Sequence, residues 1–342
     1  MFNIITIKIE KNESLNNYNI LYHYKMTDSQ FDQLLLHTTD PSSLKIILEK
    51  YGVAVLDNYF DDIYADNVFN AVKKWLIDLN IGLTNDEQTW NSTNTPIGPK
   101  FGLYQSIISH CPTFWELREK IYPLFQIIYN NDKLWTSIDG ASFYPGSKKP
   151  KNKQDWAHID QTIASTFMCY QSQFVASDTS ATFVATISSH LKHEEIVELA
   201  DIKDKNSNWH KFSNSEVKQL KTIFQKNYQT QIHAKKSSVI FWDSRTIHSA
   251  RFQDFNDKRW RAVFYVSMRP IESFTQHSKE LIKKAAIEGR TTNHWASKIF
   301  DINDRSEQKN NELMHLMNNL HKLSYIDNMT DTQKKISALV DY

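Results

Sequence analysis

Two side chains in KNKQDWAHIDQT, His158 and Asp160, have the types and spacing of a metal chelate. In an extended segment residues i and i+2 project to the same side, so an imidazole and a carboxylate stand next to each other. A third donor is offered far downstream by His248, where the apolar run of SVIFWDSRTIHSARF passes into a polar turn. Two histidines and one carboxylate on one face of a metal, with the other positions open, suit non-haem Fe(II) and its oxygen chemistry. With 13 histidines in the chain, chance pairings are easy, and solvated or hydrogen-bonded histidines are the alternative.

Downstream of His248 the stretch KRWRAVFYVSMRP places Arg259 and Arg261 at even spacing, so both can share a strand face. A buried arginine there needs an anionic partner, and its fork matches a carboxylate. The alternative is an edge-strand arginine that reaches solvent. Gln171 and Gln173 alternate with Tyr170, Ser172 and Phe174 and so share a face. They are candidates either to hydrogen-bond a cosubstrate or substrate, or to satisfy structural bonds. Trp156 and Trp242 precede the candidate ligands and read as packing or pocket wall. Asp243 and Arg245 can pair and brace the turn before His248, while His190 and His193 read as turn and helix-start residues. Cys111 and Cys169 have no CxxC spacing, and Cys169, inside TFMCY, reads as a small core residue. None of the seven glycines falls in a phosphate-binding GxGxxG or GxxxxGK[ST] pattern.

The elements that must position these groups can be read from periodicity. Residues 1–42 form an extension that opens with the alternating IITIKIE. A short helix, LKIILEKY, is expected to be capped by Ser42 or Ser43 and ended by Gly52. The strand VAVLDNYF follows, then a helix over DDIYADNVFNAVKKWLIDLN with Ile63, Val68, Val72, Trp75 and Leu79 as its apolar stripe. Residues 80–100 read as a loop and a candidate cover for a site, and 113–130 as a helix around Pro123. The period then changes to two, with strands expected at 134–144, 156–160, 165–175, 181–187, 237–243 and 260–268. A helical, charged insertion spans 191–230. Residues 271–342 form a C-terminal helical extension, including SKELIKKAAIEGR and NNELMHLMNNLHKL. The basic helix reads as a solvated face or, with His294 and Trp295, as a lid or partner surface. Helices, then many strands, then helices point to a β sandwich or barrel with helical cladding.

Composition fits an enzyme-sized globular chain. A 342-residue protein with 40% hydrophobic and 13% aromatic residues can bury a substantial core. A net charge of +1 argues against a broad basic surface for nucleic acid. No run approaches the ~18 apolar residues of a membrane span, and MFNIITIKIEKNES has no signal-peptide pattern. The expectation is a cytoplasmic protein without membrane or nucleic-acid partners.

Several segments together resemble a family, the Fe(II)- and 2-oxoglutarate-dependent dioxygenases of the phytanoyl-CoA dioxygenase-like group. They are YGVAVLDNYF, WAHIDQT, ATFVATISSHLKH, VIFWDSRTIHSA and RAVFYVSMRP, spread over roughly residues 45–270. The resemblance implies a double-stranded β-helix over residues 43–270, a mainly β core flanked by helices. It implies His158, Asp160 and His248 as Fe(II) ligands, and Arg261, with Arg259 as the alternative, as the holder of the distal carboxylate of 2-oxoglutarate. It further implies that O₂ and 2-oxoglutarate are converted to succinate and CO₂ while an unidentified substrate, a small molecule or a protein side chain, is hydroxylated. Asp160 speaks against halogenation, because halogenating relatives lack that carboxylate. Two departures stand out: ISSH replaces the common PGSH turn before His190, and Thr182 stands where a glycine often precedes the strand. A zinc-dependent hydrolase using the same triad and a non-catalytic binding protein on the same fold are the competing readings. Against the hydrolase, the motif has no extra carboxylate base beside it in sequence.

Overall fold

The computed structural model describes residues 33–79, 82–90, 103–104, 108–146, 156–203, 206–254, 256–299 and 326–342. The expected first strand, most of the 80–100 loop and the NNELMHLMNNLHKL helix lie outside these residues. The chain divides into two compact units, Met1–Leu35 and Leu36–Tyr342, and the elements below belong to the second.

In chain order these are β1 (His37–Thr38), α1 (Leu44–Tyr51), β2 (Val53–Leu56), α2 (Asp62–Asp78), β3 (Leu103–Tyr104) and α3 (Pro112–Tyr129). Then come β4 (Leu134–Thr136), β5 (Ala141–Tyr144), β6 (His158–Ile159), β7 (Tyr170–Val175) and β8 (Phe183–Ala185). After them come α4 (His193–Leu199), β9 (His210–Lys211), α5 (Asn214–Phe224) and β10 (Thr230–Ile232). The chain continues with β11 (Val239–Asp243), β12 (His248–Ala250), β13 (Arg261–Pro270), α6 (Gln276–Ile287) and α7 (Asp331–Ile336).

One sheet has the order β1-β2-β11-β7-β13-β5-β3, with β4 also on β13; the other has the order β10-β8-β12-β6-β9. From β5 to β8 the chain alternates between the sheets at every strand, and from β10 to β13 it does so again. That alternation is the double-stranded β-helix expected from the resemblance. The two runs are joined through α4, β9 and α5, the expected helical insertion.

Local chemistry explains most boundaries. Asp40, rather than Ser42 or Ser43, provides the cap before α1: its Oδ1 accepts the Ser42 amide at 3.0 Å, while Ser43 makes no side-chain cap. Gly52 closes α1 at φ +74°, and a Cβ there would sit 2.5 Å from both His190 Nδ1 and Thr246 Oγ1. Asp61 caps α2 through the Tyr64 amide at 2.6 Å. The buried stripe of α2 is Ala65, Val68, Val72 and Leu76. Ile63, expected inside, is exposed, because it stands two residues before Ala65 and so on the opposite side of the helix from the buried stripe. The expected strand 134–144 is two strands, because its pairing with β13 slips by one residue between Thr136, opposite Met268, and Ala141, opposite Phe264. β10 lacks a sequence signal of its own and is held by pairing with β8.

Period-two alternation sorts side chains into two apolar layers. Phe143, Phe174, Phe241 and Phe264 pack with Phe114 and Phe125 of α3 on the helical face. Val175, Ile240, Trp242 and Val263 meet Phe183 and Ile232 between the sheets. At the C-terminal end Ile282, Ala285 and Ala286 of α6 are buried, against Trp135 and against Trp115 and Ile138. Cys111 and Cys169 are buried free thiols. No helix of the described residues is long and apolar enough to cross a membrane.

Candidate metal centre

β6 and β12 pair antiparallel with His158 directly opposite His248. Register partners share a face, and Asp160 follows His158 at i+2, so three donors converge at one mouth of the sandwich. One potential ligand atom from each lies within 4.8 Å of the others. Asp160 Oδ1 is 3.7 Å from His158 Nε2, and Oδ2 is 3.2 Å from His248 Nε2. All three residues are only 5–6% exposed.

The tautomers follow from the acceptors. His158 Nδ1 lies 3.1 Å from the Trp156 carbonyl, and His248 Nδ1 lies 2.9 Å from that of Thr246. A carbonyl only accepts, so each Nδ1 carries the hydrogen and each Nε2 keeps its lone pair for a metal. Burial, reinforced by His248, pushes the His158 pKa down to about 3, so its ring is neutral at pH 7. For Asp160 burial works to raise the pKa, but His294, His248 and His158 outweigh it and hold the group below the usual carboxylate range. A neutral His158 ring and an ionised Asp160 carboxylate, with His248 Nε2 turned to the same point, are groups a divalent metal can bind.

Around the triad runs a supporting shell. Gln171 Nε2 donates to Asp160 Oδ2 at 2.9 Å. The Asp160 amide donates to the Ser244 carbonyl at 3.0 Å. Its own carbonyl accepts two N–H groups from the C-terminal segment, His294 Nε2 at 3.0 Å and Trp295 Nε1 at 3.1 Å. His294 and Trp295 thus clamp a ligand residue, which sequence reasoning had placed in a lid or partner surface. Trp156 stacks on the His158 ring at 4.8 Å and donates to the Ala250 carbonyl at 2.9 Å. Trp242 and Phe183 each lie 5.5 Å from the His248 ring. Trp209, from the insertion, stands 6.2 Å from the His158 ring and is 49% exposed; nothing in the sequence marked it. Arg245 grips Asp243 through two bonds of 2.9 and 2.6 Å, bracing the turn before His248. His190 and His193 donate Nε2–H to the carbonyls of Glu49 and Ile163, each at 3.0 Å, and stand apart from the metal cluster. Ser188 occupies the glycine position of the PGSH turn at φ +61°, so the turn keeps its left-handed residue without glycine.

The two arginines part company because β13 begins at Arg261 and the alternation does not reach back to Arg259. Arg259 is a surface residue, its side chain 62% exposed and bound to Asp257 by bonds of 2.8 and 2.9 Å. Arg261 is 3% exposed; Nη1 donates to the Ala181 carbonyl at 2.8 Å, and Nη2 has no partner among the described residues. It lines a small cavity with Gln173, Thr182, Phe183 and Val263, and Thr182 Oγ1 is likewise unpaired. Gln173, two residues from the Gln171 that holds Asp160, therefore belongs to the arginine's cavity rather than to the metal. An orphaned guanidinium N–H costs about 1–3 kcal/mol unless a ligand completes it.

A further carboxylate, not apparent from sequence, comes from the β4–β5 connection. Asp139 Oδ1 accepts the Gly140 amide at 2.7 Å, and burial raises its pKa to about 6 against the pull of His294.

No family model matches the chain. A curated relative, Ava biosynthesis cluster protein O of Aspergillus versicolor, is 23% identical over 244 residues, covering 68% of this chain and 79% of that protein. Among solved structures the chain is similar to GlcNAc Inducible Gene 2 of Candida albicans, with TM-score 0.48, 13% identity, and 87% and 80% of the two chains covered. It is also similar to EctD from S. alaskensis with 2-oxoglutarate and 5-hydroxyectoine, with TM-score 0.44, 10% identity, and 72% and 77% covered. The epimerase SnoN in complex with Fe3+, alpha ketoglutarate and nogalamycin RO gives TM-score 0.44 and 13% identity, with 67% and 83% covered.

Proposed function

We propose that this chain is an Fe(II)- and 2-oxoglutarate-dependent oxygenase that hydroxylates an organic substrate. His158, Asp160 and His248 would hold the iron, and Arg261 the distal carboxylate of 2-oxoglutarate. The observation that carries the reading is Arg261: a buried cation with a free N–H, in a cavity whose wall Phe183 shares with the His248 ring.

When bound, iron, 2-oxoglutarate and O₂ supply the oxidising power, ending in succinate, CO₂ and a hydroxylated product. The chain's own residues do the rest. The Trp156 and Thr246 carbonyls hold both imidazoles in the ligating tautomer. Gln171 fixes the Asp160 carboxylate through Oδ2. Arg261, Thr182 and Gln173 offer polar atoms to an anion, in a cavity that Ser177 and Thr179 also line, and Trp156, Phe183 and Trp242 exclude water from the ligand rings.

Anaerobic titration with Fe(II) and 2-oxoglutarate tests the reading through the weak visible charge-transfer band. We expect the band in the wild type and its loss in His158→Ala. Metal-saturated protein without the band would refute the oxygenase, and succinate formation surviving in His158→Ala would remove that ligand. Asp139 favours a second reading, a zinc hydrolase with that carboxylate as base; it requires zinc-dependent hydrolysis that Arg261→Ala leaves intact.

A further inference from the structure

The helical insertion carries an exposed aromatic ring to the edge of the metal centre. Trp209 is 49% exposed, yet its ring lies 6.2 Å from that of the candidate ligand His158, inclined to it at 48°. The other large rings around the triad are already spent. Trp242 and Phe183 are buried beside His248. Trp156 lies nearly parallel to the His158 ring and donates its indole N–H to the Ala250 carbonyl.

A solitary exposed aromatic on a protein surface has no special meaning. What sets Trp209 apart is how its backbone is held. Upstream, the Thr162 amide and Thr162 Oγ1 both donate to the Ser207 carbonyl at 2.9 Å, and Thr162 Oγ1 accepts the Ser207 amide at 2.8 Å. Ser207 Oγ donates in turn to the Trp209 carbonyl at 2.9 Å. Downstream, β9 pairs with β6, Ile159 opposite His210 and His158 opposite Lys211. The Phe212 amide then donates to the Ala157 carbonyl at 3.0 Å. Continued by one residue, this antiparallel register sets Trp209 across from Asp160, and opposed residues share a face. Both anchors of the loop therefore lie on the segment that bears His158 and Asp160, which fixes the indole relative to the metal site.

An indole so placed offers a flat apolar π face. A planar ring laid on it makes contact over its whole area and adds the electrostatics of paired aromatics. A saturated ring of the same size is puckered and touches through a few hydrogens. A cation could also sit over an indole, but Lys211, two residues on and so on the same strand face, sets its own ammonium beside that position. We propose that Trp209 determines specificity at this site, and that the substrate lays an uncharged aromatic ring on its exposed face. The proposal deepens the oxygenase reading and rests on it for the reaction, whereas the stacking itself requires no iron.

The test is ¹⁵N NMR of the full-length protein, metal-free and filled with Zn(II) and 2-oxoglutarate. The signals followed are the indole N–H of Trp209, identified by its loss in Trp209→Phe, and that of Trp156, which reports on the same ligand ring in every variant. The probes are 2-naphthol, its saturated analogue decahydro-2-naphthol, and tetramethylammonium chloride. In the wild type 2-naphthol should move both signals saturably and bind at least about threefold more tightly than the saturated analogue, and tetramethylammonium should not bind. Trp209→Leu keeps an apolar side chain without a π face; it should weaken 2-naphthol about tenfold and abolish the preference over the saturated analogue. Trp209→Phe should restore that preference. Should Trp209→Leu fail to fold, the wild-type preference and the Phe variant still decide. Absence of any shift, equal binding of the two naphthol probes by the wild type, saturable tetramethylammonium binding, or wild-type affinity and preference in Trp209→Leu would overturn the proposal. These outcomes are read in metal-free protein, so they are separate from loss of the charge-transfer band, which would overturn the iron reading alone.

Discussion

Replacing Arg261 by alanine is the sharpest test of how the cavity is used, because its companion Arg259→Ala provides an internal control. In the structure Arg261 spends one N–H on the Ala181 carbonyl and holds Nη2 free. Charge-assisted hydrogen bonds contribute about 1.5–3 kcal/mol each, so a carboxylate gripped by Nη2 gains about that much. Its loss corresponds to about ten- to a hundredfold weaker 2-oxoglutarate binding. Arg259 is bound to Asp257 at the surface, and an exposed pair of this kind is worth at most about 1 kcal/mol of stability. Its removal should leave 2-oxoglutarate affinity unchanged. The assay is the 2-oxoglutarate titration of Fe(II)-loaded protein under anaerobic conditions, well below the melting temperature of each variant. A control titration of Fe(II) alone should give equal metal affinity in all three proteins, since neither arginine touches the triad. If Arg259→Ala weakens 2-oxoglutarate more than Arg261→Ala does, or if Arg261→Ala binds it as the wild type does, the anchor is wrongly placed.

Three more outcomes are expected. Trp295→Phe removes only the indole N–H from the Asp160 carbonyl; metal affinity should fall about tenfold, as for other groups that orient ligands, and equilibrium titration with Fe(II) or Co(II) would show it. Metal-free protein should lose stability between pH 7 and pH 5. Burial depresses His158 to about 3 and His193 to about 4 and also lowers His190, so the unfolded chain takes up those protons first as pH falls below the ordinary histidine range. Asp139, raised to about 6, opposes this by taking a proton in the folded state. The net uptake on unfolding is roughly two protons, and denaturant melts at the two pH values that coincide, or reverse, would contradict the assignment. Ser188→Gly relieves a left-handed residue at φ +61° while giving up the exposed bond from Ser188 Oγ to the Lys50 carbonyl. It should raise the melting temperature by roughly 1–3 °C; a fall would mean that the hydroxyl matters more than the backbone strain.

Local chemistry made much of this protein readable in one dimension. The i, i+2 spacing of His158 and Asp160 already put both on one strand face, and periodicity located β7, β11, β13 and the helices α1, α2 and α3. Gly52 ended α1 as its type predicts, because only a residue without Cβ fits against His190 and Thr246 at positive φ. Elements without a local signal were missed. β10 and β9 are two or three residues long and exist because a neighbour supplies the hydrogen bonds. Their sequence has no period to read.

Tertiary structure decided what no spacing could. Pairing of β6 with β12 set His248 opposite His158, which fixed the third ligand among 13 histidines. The start of β13 at Arg261 separated a buried guanidinium from a surface ion pair two residues away. The clamp of His294 and Trp295 on Asp160, and the approach of Asp139 to the same edge, join segments remote in the chain. Such contacts depend on where loops return after the sheets have formed. A sequence states which groups are able to ligate, donate or accept; which of them meet is set by strand register and loop closure.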